Sequence, residues 1–286
     1  MKPPPFDYEA PVTLDEVLEL LRTHEDGAVV LAGGQSLVPL LNMRFARPDV
    51  VVDLNRVTGL DDIVVTPDAV TLGAMVRLTT IERDEQLAQA LPVLAEAASW
   101  VAHPQIRCRT TVGGTLCHAD PSAEMPTVAV ALGATMHLRS ADASREVPAE
   151  DFFDTVFTTT KAPDELLVSV VLPRRAGWSF HYDEIAQRHG DFPYAGLCLG
   201  VDLRDGVIVD VRAAAAGVSD TPQRLHALED TLRGQAVGSG AEAAAEAAAG
   251  EVDPPDDAMG SSAFRRSLLR TLVRRQLSRL EEVDAA

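Results

Sequence analysis

Cysteine, basic side chains and long apolar runs are all scarce in this chain of 286 residues. Its three cysteines, Cys108, Cys117 and Cys198, support no disulfide framework and fit a reducing compartment. They also cannot supply the four thiolates of an iron–sulfur cluster held by this chain alone. Because the histidines and cysteines are scattered, the sequence predicts no metal site, and we interpret Cys108 and Cys117 as packed thiols.

Basic residues are outnumbered, with 25 Lys and Arg against 43 Asp and Glu and a formal net charge of −18. This balance excludes non-specific nucleic-acid binding, which needs a net basic face, and predicts small molecules and proteins as partners. No run approaches the roughly 20 apolar residues that cross a bilayer, and residues 1–6 contain no apolar signal core. We therefore expect a cytoplasmic protein without a transmembrane segment.

A first glycine segment, Leu-Ala-Gly-Gly-Gln-Ser-Leu-Val-Pro at residues 31–39, follows the apolar run 28–31 and precedes a predicted helix over 37–43. Gly33 and Gly34 are predicted to take positive φ, so that main-chain N–H groups converge on an anion. Gln35 and Ser36 would add side-chain donors. The pattern predicts a phosphate-binding loop, and the alternative is an ordinary turn. A Rossmann unit is disfavoured because the third glycine is missing.

A second glycine segment spans residues 103–121 and contains Gly113 and Gly114 between hydroxyl residues. Asp120 precedes Pro121, which holds it extended and suited to accept hydrogen bonds from sugar or ribityl hydroxyls. The alternative is a glycine-rich loop in which Asp120 caps a helix over 122–132. We interpret Arg107 as fixing this loop, and His103 and His118 as structural hydrogen-bonding residues.

The elements around these segments predict a small α/β unit up to about residue 57 and a second subdomain beginning with a hairpin over 63–72. The short polar segment at 174–177 is the predicted main domain boundary. Beyond it, strands over 178–184, 195–203 and 207–216 predict a three-stranded antiparallel meander, followed by helices. The last helix, over 262–282, carries arginines that either meet a partner subunit or are solvated.

These motifs resemble one family. The segments Ala32-Gly33-Gly34-Gln35-Ser36, His103-Pro104-Gln105-Ile106-Arg107, Thr111-Val112-Gly113-Gly114, His118-Ala119-Asp120-Pro121 and Arg188-His189-Gly190-Asp191-Phe192 are similar to those of the FAD-binding medium subunits of molybdenum hydroxylases. That family includes the medium chain of aerobic carbon monoxide dehydrogenase and the FAD domain of xanthine dehydrogenase. The similarity covers nearly the whole chain.

The resemblance implies an α+β protein with a two-subdomain FAD-binding fold of the vanillyl-alcohol-oxidase (PCMH) type. A smaller α+β C-terminal domain, of the carbon monoxide dehydrogenase flavoprotein type, would follow with its three-stranded antiparallel sheet and helices. The implied domains are 1–177, with subdomains 1–57 and 58–177, and 178–286.

The implied site binds FAD, with the main-chain amides of 32–36 and 111–115 on its pyrophosphate. Asp120 would contact sugar or ribityl hydroxyls, and Phe192, beside Asp191, would lie near the isoalloxazine. No catalytic residue and no metal ligand is implied in this chain. The cofactor-binding residues implied are Leu31, Ala32, Gly33, Gly34, Gln35, Ser36, Leu37, Thr110, Thr111, Val112, Gly113, Gly114, Thr115, His118, Asp120, Asp191 and Phe192.

The implied function is electron transfer in a heterotrimer. The chain would take electrons from a small [2Fe–2S] subunit and pass them through FAD to an external acceptor, while a large subunit carries a molybdopterin cytosine dinucleotide cofactor. The complex would be a dimer of heterotrimers. Gln35 stands where carbon monoxide enzymes frequently have His, so an N-heterocycle or nicotine dehydrogenase-like complex is an equal expectation. The alternatives are a stand-alone FAD-dependent oxidase or dehydrogenase and a flavin-less scaffold subunit.

Overall fold

The computed structural model describes the backbone of residues 2–284 and the side chains of residues 2–280. The first part of the chain forms a three-stranded parallel sheet in the order β1-β3-β2. Its central strand is buried from Val50 to Val52, as expected for a parallel strand covered on both faces. The elements here are β1 (Asp7–Glu9), α1 (Leu14–His24), β2 (Ala28–Leu31), α2 (Leu37–Asn42) and β3 (Val50–Asp53).

Helix α1 begins as its sequence predicts. The Thr13 hydroxyl accepts a hydrogen bond from the Glu16 N–H at 3.3 Å, and the Glu16 carboxylate accepts one from the Thr13 N–H at 3.1 Å. Two of the N–H groups that a helix start leaves without partners are thereby satisfied. Val17, Leu18 and Leu21 then pack against the parallel sheet.

The second part of the chain is built on a five-stranded antiparallel sheet in the order β4-β5-β10-β6-β7. The hairpin predicted over 63–72 is its β4–β5 pair. The elements are β4 (Ile63–Val65), β5 (Ala69–Gly73), α3 (Leu78–Arg83), α4 (Glu85–Ala90), α5 (Pro92–Trp100), α6 (Pro104–Arg107), α7 (Val112–His118), α8 (Glu124–Leu132), β6 (Thr135–Arg139), β7 (Ser144–Pro148), α9 (Ala149–Phe152), β8 (Phe153–Thr155), β9 (Thr158–Thr159) and β10 (Leu166–Pro173).

Helix α8 lies at the centre of the molecule, and every one of its residues is buried. A helix that is apolar on all sides must be covered on all sides, and α8 packs against both α5 and the strands that follow β10. It starts at Glu124, two residues later than the sequence predicts. The residue before it, Ala123, provides no side-chain cap.

The third part of the chain forms an antiparallel sheet in the order β11-β12-β13-β14. The predicted three-stranded meander is present, and a two-residue strand extends its edge. Alternate residues of β12 face opposite sides: Cys198 packs into the core around α8, and Leu197 and Leu199 pack on the C-terminal helices. The elements are β11 (Trp178–Ala186), β12 (Pro193–Arg204), β13 (Val207–Ala216), β14 (Gln223–Arg224), α10 (His226–Leu232), α11 (Ala241–Glu251) and α12 (Ser262–Asp284).

The arginines of α12 are engaged within the chain, so they do not form the open basic face that the sequence allowed. Arg270 pairs with Glu246 and Arg274 with Glu242, both at 2.7 Å across the α11–α12 contact. Because its arginines alternate with buried leucines, α12 is not an apolar span. Among the described residues, no helix has both the length and the apolar composition needed to cross a membrane. The remaining pairs join Arg265 to Asp257, Arg266 to Asp253, and Arg275 and Arg279 to Asp183.

Candidate functional site

A cavity of about 710 Å³ lies where the three parts of the chain meet. This volume is in the range of roughly 300–1,000 Å³ that is usual for ligand sites. Its walls contain both glycine segments and the loop at 190–192. All the predicted FAD-binding residues line this cavity except Leu31 and Val112. Val112 is instead buried in the core around α8.

The first glycine segment joins β2 to α2 and presents unused hydrogen-bond donors. In the described part of the chain, the main-chain N–H groups of residues 33–37 donate to no protein acceptor. Gln35 donates through Nε2 to the Gly33 carbonyl at 3.1 Å, which stabilises the loop itself. Buried or half-buried N–H groups require an acceptor, so this loop fits an anionic ligand.

The two glycines of this segment have different roles. Gly34 has a φ of +75°, as predicted, but Gly33 does not adopt a positive φ, so the prediction for Gly33 was wrong. Instead, a Cβ at Gly33 would overlap the carbonyl oxygen of Arg109. Gly33 therefore allows the second glycine segment to pack directly against the first.

The second glycine segment forms the start of α7, and its donors are already used. The N–H groups of Val112 and Gly113 donate to Val76 and Ala74 carbonyls at 2.9 and 2.7 Å. The N–H of Gly114 donates to the Thr111 hydroxyl, which caps the helix. The expectation that the amides of 111–115 supply donors equivalent to those of the first segment is therefore wrong for Val112, Gly113 and Gly114. Thr115 also lines the cavity.

Carboxyl groups follow the second segment. Asp120 lines the cavity, and its Oδ1 accepts the Ser122 N–H at 2.9 Å. The alternative prediction was that Asp120 caps the following helix. The observed bond is similar, but it stabilises the turn before α8 and not the start of the helix. His118 also lines the cavity, its ring lies tilted against that of Phe157 with centroids 5.0 Å apart, and burial lowers the pKa of its imidazole.

The third wall comes from the loop between β11 and β12. Gly190 has a φ of +87° and lies where a Cβ would be 2.7 Å from the Ala102 carbonyl oxygen. His189 stacks on Trp100 with ring centroids 4.8 Å apart. Asp191 is bound by the Arg188 guanidinium at 3.0 Å, and the adjacent Phe192 ring is 56% exposed. The loop thus presents an open aromatic face at the cavity.

Glu124 was not predicted as a site residue, although it lines the cavity. It is 5% exposed, and burial together with nearby Glu184 raises the pKa of its carboxyl to about 8. This shift favours the protonated form of the carboxyl, which can donate a hydrogen bond, near neutral pH. Lys161 is a second lining residue that sequence reasoning missed; its ammonium donates to the Ala162 and Glu165 carbonyls at 2.8 and 3.0 Å.

One signal in the sequence marks the site. Despite 43 acidic residues, the chain contains no Asp or Glu between Asp26 and Asp49 or between Glu96 and Asp120. These two stretches carry the two glycine segments. Since nearby carboxylates would repel a phosphate, this local depletion fits anion binding in an otherwise acidic protein.

The other residues singled out in the sequence have structural positions. Arg107 pairs with Glu82 at 2.9 Å and donates to the Val101 and Ala102 carbonyls, so it fixes the loop as predicted. Cys108 is exposed, so the packed-thiol prediction was wrong for it. Cys117 lines the cavity, where burial raises its pKa to about 11. No cluster of His, Cys, Asp or Glu suited to a metal ion occurs in the described residues.

Comparisons with known proteins agree with this geometry. Residues 4–175 match the FAD binding domain in molybdopterin dehydrogenase, and residues 180–280 match the CO dehydrogenase flavoprotein C-terminal domain. The chain is 39% identical to the 6-hydroxypseudooxynicotine dehydrogenase complex subunit alpha of Paenarthrobacter nicotinovorans, covering 98% of this chain and 95% of that protein. It is 38% identical to the caffeine dehydrogenase subunit beta of Pseudomonas sp. (strain CBB1), covering 98% and 96%.

The fold is also that of a solved relative. A chain of carbon monoxide dehydrogenase from Hydrogenophaga pseudoflava superposes with a TM-score of 0.93 at 33% identity, covering 96% of each chain. Sequence, fold and cavity therefore lead to one conclusion. The chain belongs to the family of FAD-binding medium subunits of molybdenum hydroxylases, an oxidoreductase family.

Proposed function

We propose that this chain binds FAD in the cavity and transfers electrons through it within a heterotrimeric molybdenum hydroxylase. The observation that carries the proposal is the meeting of three distant segments in one cavity, together with N–H donors at residues 33–37 that lack protein acceptors. A diphosphate is the anion that such a loop suits, and an apolar cavity wall suits the flavin ring.

Each wall of the cavity would have its own role. The N–H groups of 33–37 would bind the diphosphate, and Asp120 and the protonated Glu124 would contact ribityl or sugar hydroxyls. Phe192 would pack against the isoalloxazine. When bound, FAD supplies the redox chemistry that side chains lack, and the protein orients the ring and excludes water. Leu31 does not line the cavity, and Val112 is buried in the core with its N–H bonded to the Val76 carbonyl, so neither is included in the proposed contacts with FAD.

The partners follow from the same family. Relatives are named as subunits of dehydrogenase complexes, which supports a large molybdopterin subunit and a small [2Fe–2S] subunit beside this chain. We propose that electrons enter from the small subunit and leave to an external acceptor. A dimer of heterotrimers in the cytoplasm, with domains 1–177 and 178–286 in this chain, completes the proposal.

The compound oxidised would bind to the large subunit. The relatives at 38–39% identity are named for a nicotine derivative and for caffeine. Together with Gln35, which stands where carbon monoxide enzymes often have His, this supports an N-heterocyclic substrate class over carbon monoxide.

The proposal is tested by purifying the full chain and recording its absorption spectrum. We expect a flavin spectrum, release of FAD and not FMN on denaturation, and tight rebinding of FAD by the apoprotein. A chain that contains no flavin and takes up none would refute the proposal. Substrate turnover by the chain alone would favour a stand-alone oxidase, and assembly independent of FAD would favour a scaffold.

A further inference from the structure

A single arginine outside the cavity lining connects the two glycine segments. Arg77 lies between β5 and α3, and its guanidinium donates through Nη1 to the Arg109 carbonyl and through Nη2 to the Asn55 side-chain oxygen at 2.5 Å. The backbone of Arg77 also forms an antiparallel bridge with Thr111. Arg77 is therefore bound to the second segment by both its main chain and its side chain.

Asn55 extends this connection to the first segment. Its Nδ2 donates to the Ala32 carbonyl at 3.0 Å. Asp53 fixes the amide orientation, because its Oδ1 accepts both the Asn55 N–H at 2.9 Å and the Asn55 Nδ2 at 2.5 Å. The Tyr8 hydroxyl in turn donates to Asp53 at 2.5 Å. The side-chain oxygen of Asn55 is thus held toward Arg77.

The Arg109 carbonyl, to which Arg77 donates, lies where the two segments pack together. The Arg109 carbonyl is the group against which Gly33 packs, and Ala32 immediately precedes Gly33. One planar guanidinium with rigidly spaced donors can fix the distance between two loops more firmly than separate contacts. Arg77 and Asn55 therefore link the two segments where they pack together.

The guanidinium of Arg77 places a positive charge near the two segments. Both of its hydrogen-bond acceptors are neutral groups, and the side chain is half-buried, so solvent screens the charge only in part. Arg109 lies close enough to repel this charge, and Asp53 and Asp61 partly offset the repulsion. A diphosphate between the segments would add a further attraction.

We propose that Arg77 is a positioning residue for the diphosphate of FAD, holding the two glycine segments at binding distance and adding a positive charge behind them. This inference rests on the proposed function. Tyr8, Asp53 and Asn55 orient the guanidinium and do not touch the ligand.

The test compares FAD binding by flavin-free full chains carrying Arg77→Met, Arg77→Lys and Arg174→Met. Arg174 is the matched control, because it is also half-buried and also donates to two neutral oxygens, the main-chain carbonyls of Ala90 and Thr66, away from the cavity. We expect Arg77→Met to weaken FAD binding about 30-fold, equivalent to about 2 kcal/mol. Arg77→Lys should recover part of the loss because it keeps the charge, and Arg174→Met should bind FAD within about twofold of wild type.

Ligand fragments and salt separate a role at the diphosphate from general destabilisation. The loss of binding affinity caused by Arg77→Met should be similar for FAD and ADP and much smaller for riboflavin, which has no phosphate. The wild-type affinity should fall more steeply with salt than that of the variant. If Arg77→Met folds poorly, the same comparison is made with Arg77→Lys. This variant must lose more affinity for FAD and ADP than for riboflavin.

Three results would overturn the inference. They are unchanged FAD binding by Arg77→Met, an equal loss in Arg174→Met, or an equal loss for riboflavin and FAD. A wild-type chain that binds no FAD would instead refute the proposed function itself, so the two failures are distinguishable.

Discussion

The two glycine segments contain the same Gly-Gly pair, yet the structure uses them differently. At residues 33–37 the N–H groups have no protein acceptor in the described chain, whereas those of Val112, Gly113 and Gly114 are bonded within the protein. Carboxyl groups show the opposite distribution: none is near the first segment in sequence, whereas Asp120 lies at the end of the second and Glu124 follows it. The first segment suits an anion and the second suits hydroxyl groups, so similar motifs do not imply similar roles.

The largest effect is expected from Gly33→Ala. Its Cβ would overlap the Arg109 carbonyl and force the segments apart, and misplacement of a binding loop is expected to weaken FAD binding about 100-fold or more. Flavin content of the purified chain and FAD titration of the apoprotein measure this. Gly250→Ala is the control, because a Cβ there meets no atom within 4 Å. Full FAD occupancy in Gly33→Ala would show that FAD binding does not depend on the close packing of the two segments.

The carboxyl groups of the second segment predict a pH dependence. Burial and Glu184 raise the pKa of Glu124 to about 8 in the folded state, against 4.5 for the unfolded chain. Between these values the folded state holds a proton that the unfolded state releases. The free energy of unfolding should therefore fall with rising pH, by at most about 1.4 kcal/mol per pH unit from this group.

The matched variant is Glu124→Gln, which keeps the shape and removes the titration. We expect a shallower fall in apoprotein stability between pH 5 and 7, measured by urea unfolding at each pH. A residual slope should remain, because burial also raises the pKa of Glu184, to about 7. Parallel curves for wild type and variant would show that Glu124 ionises normally.

Gly113→Ala tests whether the second segment uses its glycine for packing. The new Cβ would lie 2.6 Å from the Ala74 Cβ and 2.9 Å from the Ala74 carbonyl oxygen, and overpacking of this kind costs about 1–3 kcal/mol of stability. Gly114→Ala is the comparison, since its closest neighbour is the movable Thr111 hydroxyl at 2.8 Å. Denaturant unfolding should show that the Gly113→Ala apoprotein is less stable than the Gly114→Ala apoprotein. Equal stabilities would contradict the packing role of Gly113.

The smallest effects are expected from single hydroxyl groups. Ser36→Ala in the first segment and Thr115→Val in the second should each weaken FAD binding about fivefold, the loss of one hydrogen bond worth about 1 kcal/mol. Ser239→Ala, far from the cavity, is the control variant in the FAD-binding titrations. An effect confined to Ser36→Ala would mean that the second segment contributes no polar contact through Thr115.

Much of the fold could be predicted from local patterns. The α1 capping box, the apolar strands β2 and β3, and the meander β11–β13 all carry their signal within a few consecutive residues. Strand β1 was missed because its three residues are exposed and show no apolar pattern. Short elements such as β9 are stabilised by their neighbours in the fold, and local propensity does not reveal them.

Only some residues of the candidate site could be predicted from the sequence. Glycine pairs and Asp120 are visible as motifs, but Glu124 resembles any acidic residue at a helix start until the fold buries it. Cys108 and Cys117 were interpreted alike, although only Cys117 lies against the cavity. Burial depends on which distant elements pack together, and the order of residues along the chain does not show this.

The sequence by itself determined where this protein can bind an anion. It provided two glycine pairs, kept acidic residues away from the first, and spaced the pairs to match one family. Only the tertiary structure decided that Gly33 packs against the Arg109 carbonyl and Gly113 against Ala74, because that depends on the atoms within 3 Å of the missing Cβ. It also decided that Arg77, which no local pattern marks, connects the two segments, since hydrogen bonds between residues far apart in the chain exist only after folding.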